Sequence, residues 1–403
     1  MSLPTPTTSF TIPSLHDDLE LDCRIYYPQR SGSSRPGQNY SIVAHPYAPL
    51  GGSYDDPVVA RVGSVLLRNG VLLGTFNFRG AAGSAGRTSW SGNAELGDYV
   101  AFYVLVLALI NATQAQLTNG ESQHVDEAAE SLLILGGYSY GSMIVSCLPP
   151  AHLLQSLLEH AAEGSTEFEI KSRANQLGKD YAAYVRLQCQ GSLTRGRGSL
   201  RASETNNPPG RMGGYSSEEA NRRVSGESWR RSMDRGSVRR SLDRVRQRLG
   251  KNHDTIPGSI ANIGPSTRSQ ATGSPTIAYL LISPLLPPVS ALTTMFGKPS
   301  FHRQSPGFDR PLKDQSSSDE KFHNDATCIV YGGKDQFTSS KKIKKWTHEL
   351  AERSANPSLF SAQEVENAAH FWVEAPSRLQ AIVGQWLLVL LAALRNRGQD
   401  SES

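Results

Sequence analysis

A serine between two glycines, at positions 137, 139 and 141, is the first pattern in this sequence that could do chemistry. An apolar run precedes it at residues 132–135, and three apolar residues, 143–145, can begin a buried helix after it. In a G-x-S-x-G pattern the serine occupies a tight strand-to-helix turn, where glycines leave room that side chains would fill. Ser139 is therefore predicted to be a nucleophile whose hydroxyl projects above a sheet.

A serine hydroxyl becomes a nucleophile only with a base within hydrogen-bond reach and a carboxylate that orients the base. In sites of this type the carboxylate and then the histidine follow the serine along the chain. Asp335 comes after a predicted buried strand and two glycines, and His370 lies in a short loop after the last predicted strand. Ser139, Asp335 and His370 are the predicted catalytic residues. Two alternatives stay open, because Asp335 could cap a helix and His370 could be a hydrogen-bonded loop histidine.

Two backbone amides would have to bind the oxyanion that forms when the serine attacks a carbonyl. One should belong to Tyr140, directly after the nucleophile, and the other to the loop that follows a predicted strand at residues 40–44. Pro46 has no N–H, so Tyr47 is the first donor beyond His45. We expect His45 to shape this loop by hydrogen bonding, and a role as a base is the alternative.

Arg79 begins a glycine-rich loop, residues 79–86, after a predicted strand at residues 71–78. Its guanidinium could bind a carboxylate or phosphate of a substrate, or it could hold the loop by donating to backbone carbonyls, which is the favoured interpretation. The loop has neither Gly-Lys-Ser nor a G-x-G-x-x-G fingerprint, so the signal for phosphate binding is weak.

The elements that must position these residues alternate between strand and helix. Alternating apolar residues at 9–13 and 19–27 predict an antiparallel hairpin at one edge of a sheet. Continuous apolar strands and amphipathic helices then alternate, which is typical of an α/β fold with a parallel sheet covered on both faces. The further predicted strands are residues 40–44, 71–78, 131–135, 276–282, 326–331 and 359–365, and the predicted helices are residues 57–69, 93–111, 151–162, 168–189, 339–354 and 375–397.

Three segments resemble a serine-hydrolase family of the α/β-hydrolase superfamily. They are His45-Pro46 with Gly51-Gly52, then Phe-Asn-Phe-Arg-Gly at residues 76–80, then Gly-Tyr-Ser-Tyr-Gly at residues 137–141. Members carry HPHP…GG, FNFRG-x-G-x-S-x-G and G-[YF]-S-[FY]-G segments. The resemblance covers about residues 8–150 and 275–395. It implies an α/β-hydrolase fold, with a mostly parallel sheet, helices on both faces and ester- or thioester-type chemistry, and it names no substrate.

The sequence departs from that family at two places and carries a long insertion. Tyr47-Ala48 stands where the family has its second His-Pro, and Ala82 stands where it has a glycine. We therefore divide the chain into four segments: the first half of the core (residues 1–150), a helical insertion that is a candidate lid (151–190), a basic insertion (191–274) and the second half of the core (275–397).

The basic insertion has fourteen arginines and six acidic residues between positions 191 and 250, with few apolar side chains. Such a segment buries too little surface to offset its chain entropy, so we expect it to be disordered. Ser225, Ser232 and Ser241 each follow paired arginines or lie one residue beyond them, which suits a basophilic kinase. An inert linker and an anionic-surface ligand are the alternatives, and the few aromatic residues argue against specific nucleic-acid recognition.

Composition limits the cell compartment and the chemistry. The four cysteines form no C-x-x-C pair and the first fourteen residues are polar, so a reducing, cytoplasmic location is expected. The apolar stretches at residues 100–110 and 381–394 are shorter than the roughly 20 residues that span a bilayer, and they predict buried helices rather than a transmembrane segment.

The sequence as a whole predicts a serine hydrolase that needs no cofactor or metal and cleaves a carboxylester, thioester or amide bond of a small acyl substrate. The alternative is a non-catalytic protein of the same fold that binds a partner or an anionic surface through its basic insertion.

Overall fold

Eight strands form one sheet in the computed structural model, which describes residues 2–28, 37–118, 131–197, 274–287, 290, 299–301 and 319–400. The strand order is β1-β2-β4-β3-β5-β6-β7-β8. β2 pairs antiparallel with both β1 and β4, and every other pair is parallel. The strands are β1 (Thr8–Pro13), β2 (Glu20–Tyr26), β3 (Asn39–Ala44), β4 (Leu72–Phe76), β5 (Leu132–Tyr138), β6 (Thr276–Ile282), β7 (Ala326–Gly332) and β8 (Phe360–Val365).

Helices cover both faces of this sheet, as its continuously apolar strands require. They are α1 (Pro57–Arg68), α2 (Asn93–Thr118), α3 (Tyr140–Ser146), α4 (Ala151–Glu159), α5 (Thr166–Arg197), α6 (Glu320–Asn324), α7 (Ser340–Glu352) and α8 (Pro376–Asp400). One apolar core lies between the sheet and α1 with α8, and the other lies between the sheet and α2, α4, α5 and α7. The predicted α/β-hydrolase fold with its N-terminal hairpin is confirmed.

The two most apolar helices differ in their burial. α2 and residues 376–397 of α8 are long and apolar enough to cross a membrane by length and composition. The most apolar window of α2 is 89% buried, and a helix that is apolar all round belongs in a core. The corresponding window of α8 is 39% buried, because only one side of that helix packs on the sheet and α1.

Some element boundaries differ from the predictions. α2 continues seven residues beyond the predicted end at residue 111 and α5 runs to Arg197, inside the segment expected to be disordered. α6 is a short helix between β6 and β7, where no helix was predicted. The rest of the basic insertion up to residue 273, with Ser225, Ser232 and Ser241, lies outside the described residues. α4 and α5, the candidate lid, pack with α2 on one face of the sheet, and their role as a lid stays a prediction.

The turn between β5 and α3 has no space for side chains at its two glycines. A Cβ atom on Gly137 would lie 2.3 Å from the carbonyl carbon of Gly141. A Cβ atom on Gly141 would lie 2.6 Å from the carbonyl oxygen of Ala44, at the end of β3. Both contacts are with backbone, which cannot move aside as a side chain can, so the close approach of strand and helix depends on these glycines.

We expect Gly137→Ala to lower the free energy of unfolding by about 1–3 kcal/mol, the usual effect of overpacking a rigid site. Gly384→Ala, in α8, is the matched control, because its new Cβ atom would meet nothing closer than Val65 Cγ1 at 3.6 Å. Alanine favours the helix there, so the control should be as stable as the wild type or up to about 1 kcal/mol more stable. Urea unfolding of the three proteins tests this, and equal stability of Gly137→Ala and wild type would contradict it.

Candidate active site

Ser139 lies at the tip of the β5–α3 turn with a left-handed backbone, φ +56°. This conformation is uncommon for a residue with a Cβ atom, and it persists only where surrounding contacts hold it. The Ser139 N–H donates to the carbonyl of Ile282, at the end of β6, over 2.8 Å. The buried Ser142 hydroxyl contacts the Gly137 carbonyl and both backbone groups of Ile282. The turn is therefore tied to the neighbouring strand.

His370 connects this serine to a carboxylate. Its Nε2 atom lies 2.8 Å from Ser139 Oγ, and its Nδ1 atom lies 2.7 Å from Asp335 Oδ2. The side chains of His370 and Asp335 are 3% and 0% exposed. With a proton on Nδ1 donated to the carboxylate, Nε2 is free to accept the hydroxyl proton, which is the arrangement of a general base. The structure thus brings the three predicted residues into one hydrogen-bonded chain.

Asp335 is held as a carboxylate by its own turn. Its Oδ1 atom accepts hydrogen bonds from the N–H groups of Phe337 and Thr338, at 2.8 and 3.1 Å. Burial opposes ionisation, but the hydrogen bond from His370 and the two amides outweigh it and hold the pKa of Asp335 below its ordinary value. The alternative that Asp335 caps a helix is not what the structure shows, because α7 has Ser339 as its N-cap.

The backbone of His370 is held from two sides. The Tyr138 hydroxyl donates to the His370 carbonyl over 3.0 Å, and the His370 N–H donates to Gln336 Oε1 over 3.3 Å. Tyr138 precedes the serine in the chain and is almost fully buried, with its ring centroid 5.5 Å from that of the imidazole. Tyr138 therefore positions the imidazole of His370, which lies against Ser139, the next residue in the chain.

A strained pair of residues holds the loop beyond His370. Trp372 and Ser283 both have left-handed backbones, with φ of +58° and +45°, and both are fully buried. The Trp372 indole N–H donates to the Ser283 hydroxyl over 3.1 Å. Ser283 directly follows β6, and its N–H donates to Val330 of β7. This pair anchors the histidine loop to two central strands.

His45 shapes the loop after β3, as expected. It is fully buried; its Nε2 atom accepts from the Phe78 N–H at 2.9 Å, so the proton lies on Nδ1, which is 2.6 Å from the Pro46 carbonyl. Burial lowers the pKa of His45 to about 4, so the ring is neutral near pH 7. Both ring nitrogens are engaged in backbone contacts, which leaves none to act as a base.

The two predicted oxyanion donors, Tyr47 and Tyr140, lie on segments that contact each other. Their ring centroids are 5.0 Å apart. Among the described residues neither backbone N–H has a hydrogen-bond acceptor. The N–H of Tyr47 and the C=O of Pro46 share one planar peptide and point in opposite directions, so the bond from His45 to that carbonyl also sets the direction of the Tyr47 N–H. Their part in binding an oxyanion stays a prediction.

Arg79 has neither of the roles foreseen for it. Its guanidinium forms a bidentate ion pair with the fully buried Asp98 of α2, with a shortest distance of 2.6 Å, and a second pair with Asp17. The guanidinium also donates to the Ser14 hydroxyl, which in turn donates to Asp98. All three guanidinium nitrogens are engaged, so Arg79 joins the N-terminal hairpin, β4 and α2 rather than binding a substrate or backbone carbonyls.

The residues around Arg79, in the Phe-Asn-Phe-Arg-Gly segment and the loop after it, also have structural roles. Asn77 accepts from the Tyr54 N–H, beyond the β3 loop, and the buried Ser84 hydroxyl donates to the Asn77 carbonyl. Ala82, which stands in place of a family glycine, has φ +41°, a conformation that favours glycine. No group of three or more His, Cys, Asp or Glu side chains in the described part of the chain could hold a metal ion.

No protein-family model matches this sequence, and no curated protein matches it. Solved structures with a similar fold are α/β serine hydrolases and esterases. A serine hydrolase without a lid from Xanthomonas campestris is 14% identical, with a TM-score of 0.41 and 96% of each chain covered. A protein of unknown function from Agrobacterium tumefaciens, described as a candidate α/β hydrolase, is 12% identical, with a TM-score of 0.44 and coverage of 96% of this chain and 97% of that chain.

The esterase Est1E from Butyrivibrio proteoclasticus, solved with ferulic acid bound, is 11% identical, with a TM-score of 0.42 and coverage of 95% of this chain and 99% of that chain. Identities this low concern the fold alone.

We expect Tyr138→Phe to lower kcat for p-nitrophenyl acetate about tenfold with little change in KM, because the His370 carbonyl loses its donor and the imidazole is less well placed. Tyr99→Phe is the matched control, since its buried hydroxyl also donates to a backbone carbonyl, that of Gly136, away from His370. Both variants should lose about 1 kcal/mol of stability. Equal kcat values for Tyr138→Phe and Tyr99→Phe would contradict a positioning role for Tyr138.

Proposed function

We propose that this protein is a serine hydrolase that cleaves a carboxylester, thioester or amide bond through an acyl-enzyme intermediate. The observation that carries the proposal is the buried chain from Ser139 Oγ to His370 and on to Asp335, at 2.8 and 2.7 Å. A structural histidine would need no serine at Nε2, and a structural serine would need no imidazole that a carboxylate orients.

In the first half of the reaction Ser139 Oγ attacks the substrate carbonyl while His370 Nε2 takes the hydroxyl proton. Asp335 stays ionised and stabilises the imidazolium that forms. The oxyanion receives hydrogen bonds from the N–H groups of Tyr47 and Tyr140. The imidazolium then gives its proton to the leaving alcohol, thiol or amine, and the acyl group remains on the serine.

In the second half His370 takes a proton from water, which attacks the acyl-enzyme carbonyl, and returns the proton to Ser139 Oγ as the acid leaves. The same amides stabilise the second oxyanion. Every proton in this cycle moves between the imidazole, the serine and the reactants, so the residues present complete the hydrolysis without a further group.

The surroundings of the imidazole favour an apolar acyl group. The Phe337 ring centroid lies 4.5 Å from that of His370, and the Phe371 centroid lies 5.6 Å from it. Cys23, Cys189 and Cys328 are free thiols, which supports our proposal of a reducing, cytoplasmic location.

We expect the wild type to hydrolyse at least one class in a panel of acyl esters, acyl thioesters and peptide amides. Ser139→Ala should lower kcat/KM by about 10⁶-fold, and Asp335→Asn by about 10⁴-fold, since the amide would favour the wrong imidazole tautomer. Ser156→Ala, on α4, is the control and should retain full activity. Hydrolysis that survives in Ser139→Ala would contradict the proposal, as would a folded wild type that is inactive over the whole panel.

A further inference from the structure

Large apolar side chains are exposed at the edge of the sheet that carries the candidate site. Phe371 and Val373 follow His370 and are 57% and 73% exposed. Leu50, in the loop after β3, and Trp90, in the loop after β4, are 72% and 73% exposed. These four are half of the eight large apolar side chains that are exposed in the described part of the chain. Packing within the fold does not account for them.

Four lysines lie beside this edge, in the first two turns of α7: Lys341, Lys342, Lys344 and Lys345. All four are exposed, and the first turn of α7 contains no acidic residue. The N-terminus of a helix carries partial positive charge, so cations there oppose the macrodipole and destabilise the helix. Lys345 lies 3.9 Å from Glu349, one turn further along the helix, and this pair supports the helix; helix stability does not explain the other three lysines.

The lysines and the apolar side chains belong to one surface. α7 begins after the turn that leaves the carboxyl end of β7, where Asp335 lies. Phe337 is in that turn, and its ring centroid is 6.1 Å from that of Phe371. The Lys342 ammonium donates to the carbonyl of Pro287, in the segment after β6. Phe371 thus contacts Phe337, three residues before α7 begins, so the first turn of α7 with its lysines follows closely on the turn that lies against the His370 loop.

We propose that this surface, made of Phe371, Val373 and the four lysines of α7, docks on an anionic phospholipid bilayer. The lysines match the negative charge of the headgroups, and the exposed apolar side chains enter the boundary between headgroups and acyl chains. Docking places the mouth of the site against the bilayer. On the proposed function, an apolar acyl substrate could then reach Ser139 from the membrane.

A bilayer suits the composition of this surface better than an acidic protein does. Lysine is depleted in protein–protein interfaces, because a flexible ammonium is hard to order and desolvate. At a lipid surface each lysine keeps its mobility and water while still gaining from the surface potential. Trp90, at the same sheet edge, is of the residue type enriched at membrane interfaces.

Co-sedimentation of the full-length protein with vesicles tests the docking. The vesicles are phosphatidylcholine alone, or phosphatidylcholine with 30 mol% phosphatidylserine, on the order of a cytoplasmic leaflet's anionic content. We expect binding only to the anionic vesicles and weakening with salt. Lys341→Gln/Lys344→Gln should lower partitioning about 25-fold, because each of the two lysines contributes roughly fivefold near such a surface.

Arg173→Gln/Lys179→Gln, on α5, is the charge-matched control and should bind like the wild type. All of these proteins contain the same basic insertion, so a difference between the two pairs reports the α7 surface. Equal effects of the two pairs would overturn the proposal, as would equal binding to neutral vesicles or no binding to either kind.

The apolar part has its own pair of variants. Val373→Ser should lower partitioning about tenfold, close to the lower end of the transfer effect of one valine side chain. Leu187→Ser, exposed on α5, is the control and should have no effect. If Val373→Ser bound vesicles as well as the wild type, the contact would be purely ionic. That result would overturn the proposal that apolar side chains insert into the bilayer. Ser139→Ala should bind vesicles like the wild type, so a failure of docking and a failure of catalysis are distinguishable.

Discussion

The buried hydrogen bond between His370 and Asp335 is the interaction on which the candidate site depends. This bond joins the segment after β7 to the segment after β8. The other ring nitrogen of His370 lies against Ser139, which follows β5. A neutral imidazole can accept the serine proton only if its other nitrogen is fixed, and the carboxylate fixes it because two amides keep that carboxylate ionised. The rest of the sheet serves to bring these three loops together.

The need to hold these three loops in place explains why several residues at this edge of the sheet have strained backbones. Ser139, Ser283 and Trp372 all have left-handed backbones without being glycine. Each conformation is costly alone, and each is held by a bond to a neighbouring strand or loop. The loop after β3 is fixed in a similar way by His45. The site is therefore preorganised, as transition-state stabilisation by backbone amides requires.

The sequence predicted the features that neighbouring residues encode. Glycine spacing located Ser139, and apolar periodicity located the strands and the edge hairpin. Distant contacts that belong to no known motif order could not be predicted, because no local signal pairs Tyr138 with His370 across 232 positions. The same limit explains the error over Arg79. Its position between a strand and a glycine-rich loop suggested bonds to backbone carbonyls or to a substrate. Its partner Asp98 instead lies on a buried face of α2 that local periodicity does not mark as ionic.

The most direct test of the account is covalent labelling of the folded, full-length protein with a fluorophosphonate, followed by peptide mapping. The reagent reacts with a serine only when a base activates it and the oxyanion is stabilised. We predict a single modified site at Ser139 and no labelling of Ser139→Ala. A folded wild type that stays unlabelled, or that is modified at another serine, would contradict the claim that His370 and Asp335 make Ser139 a nucleophile.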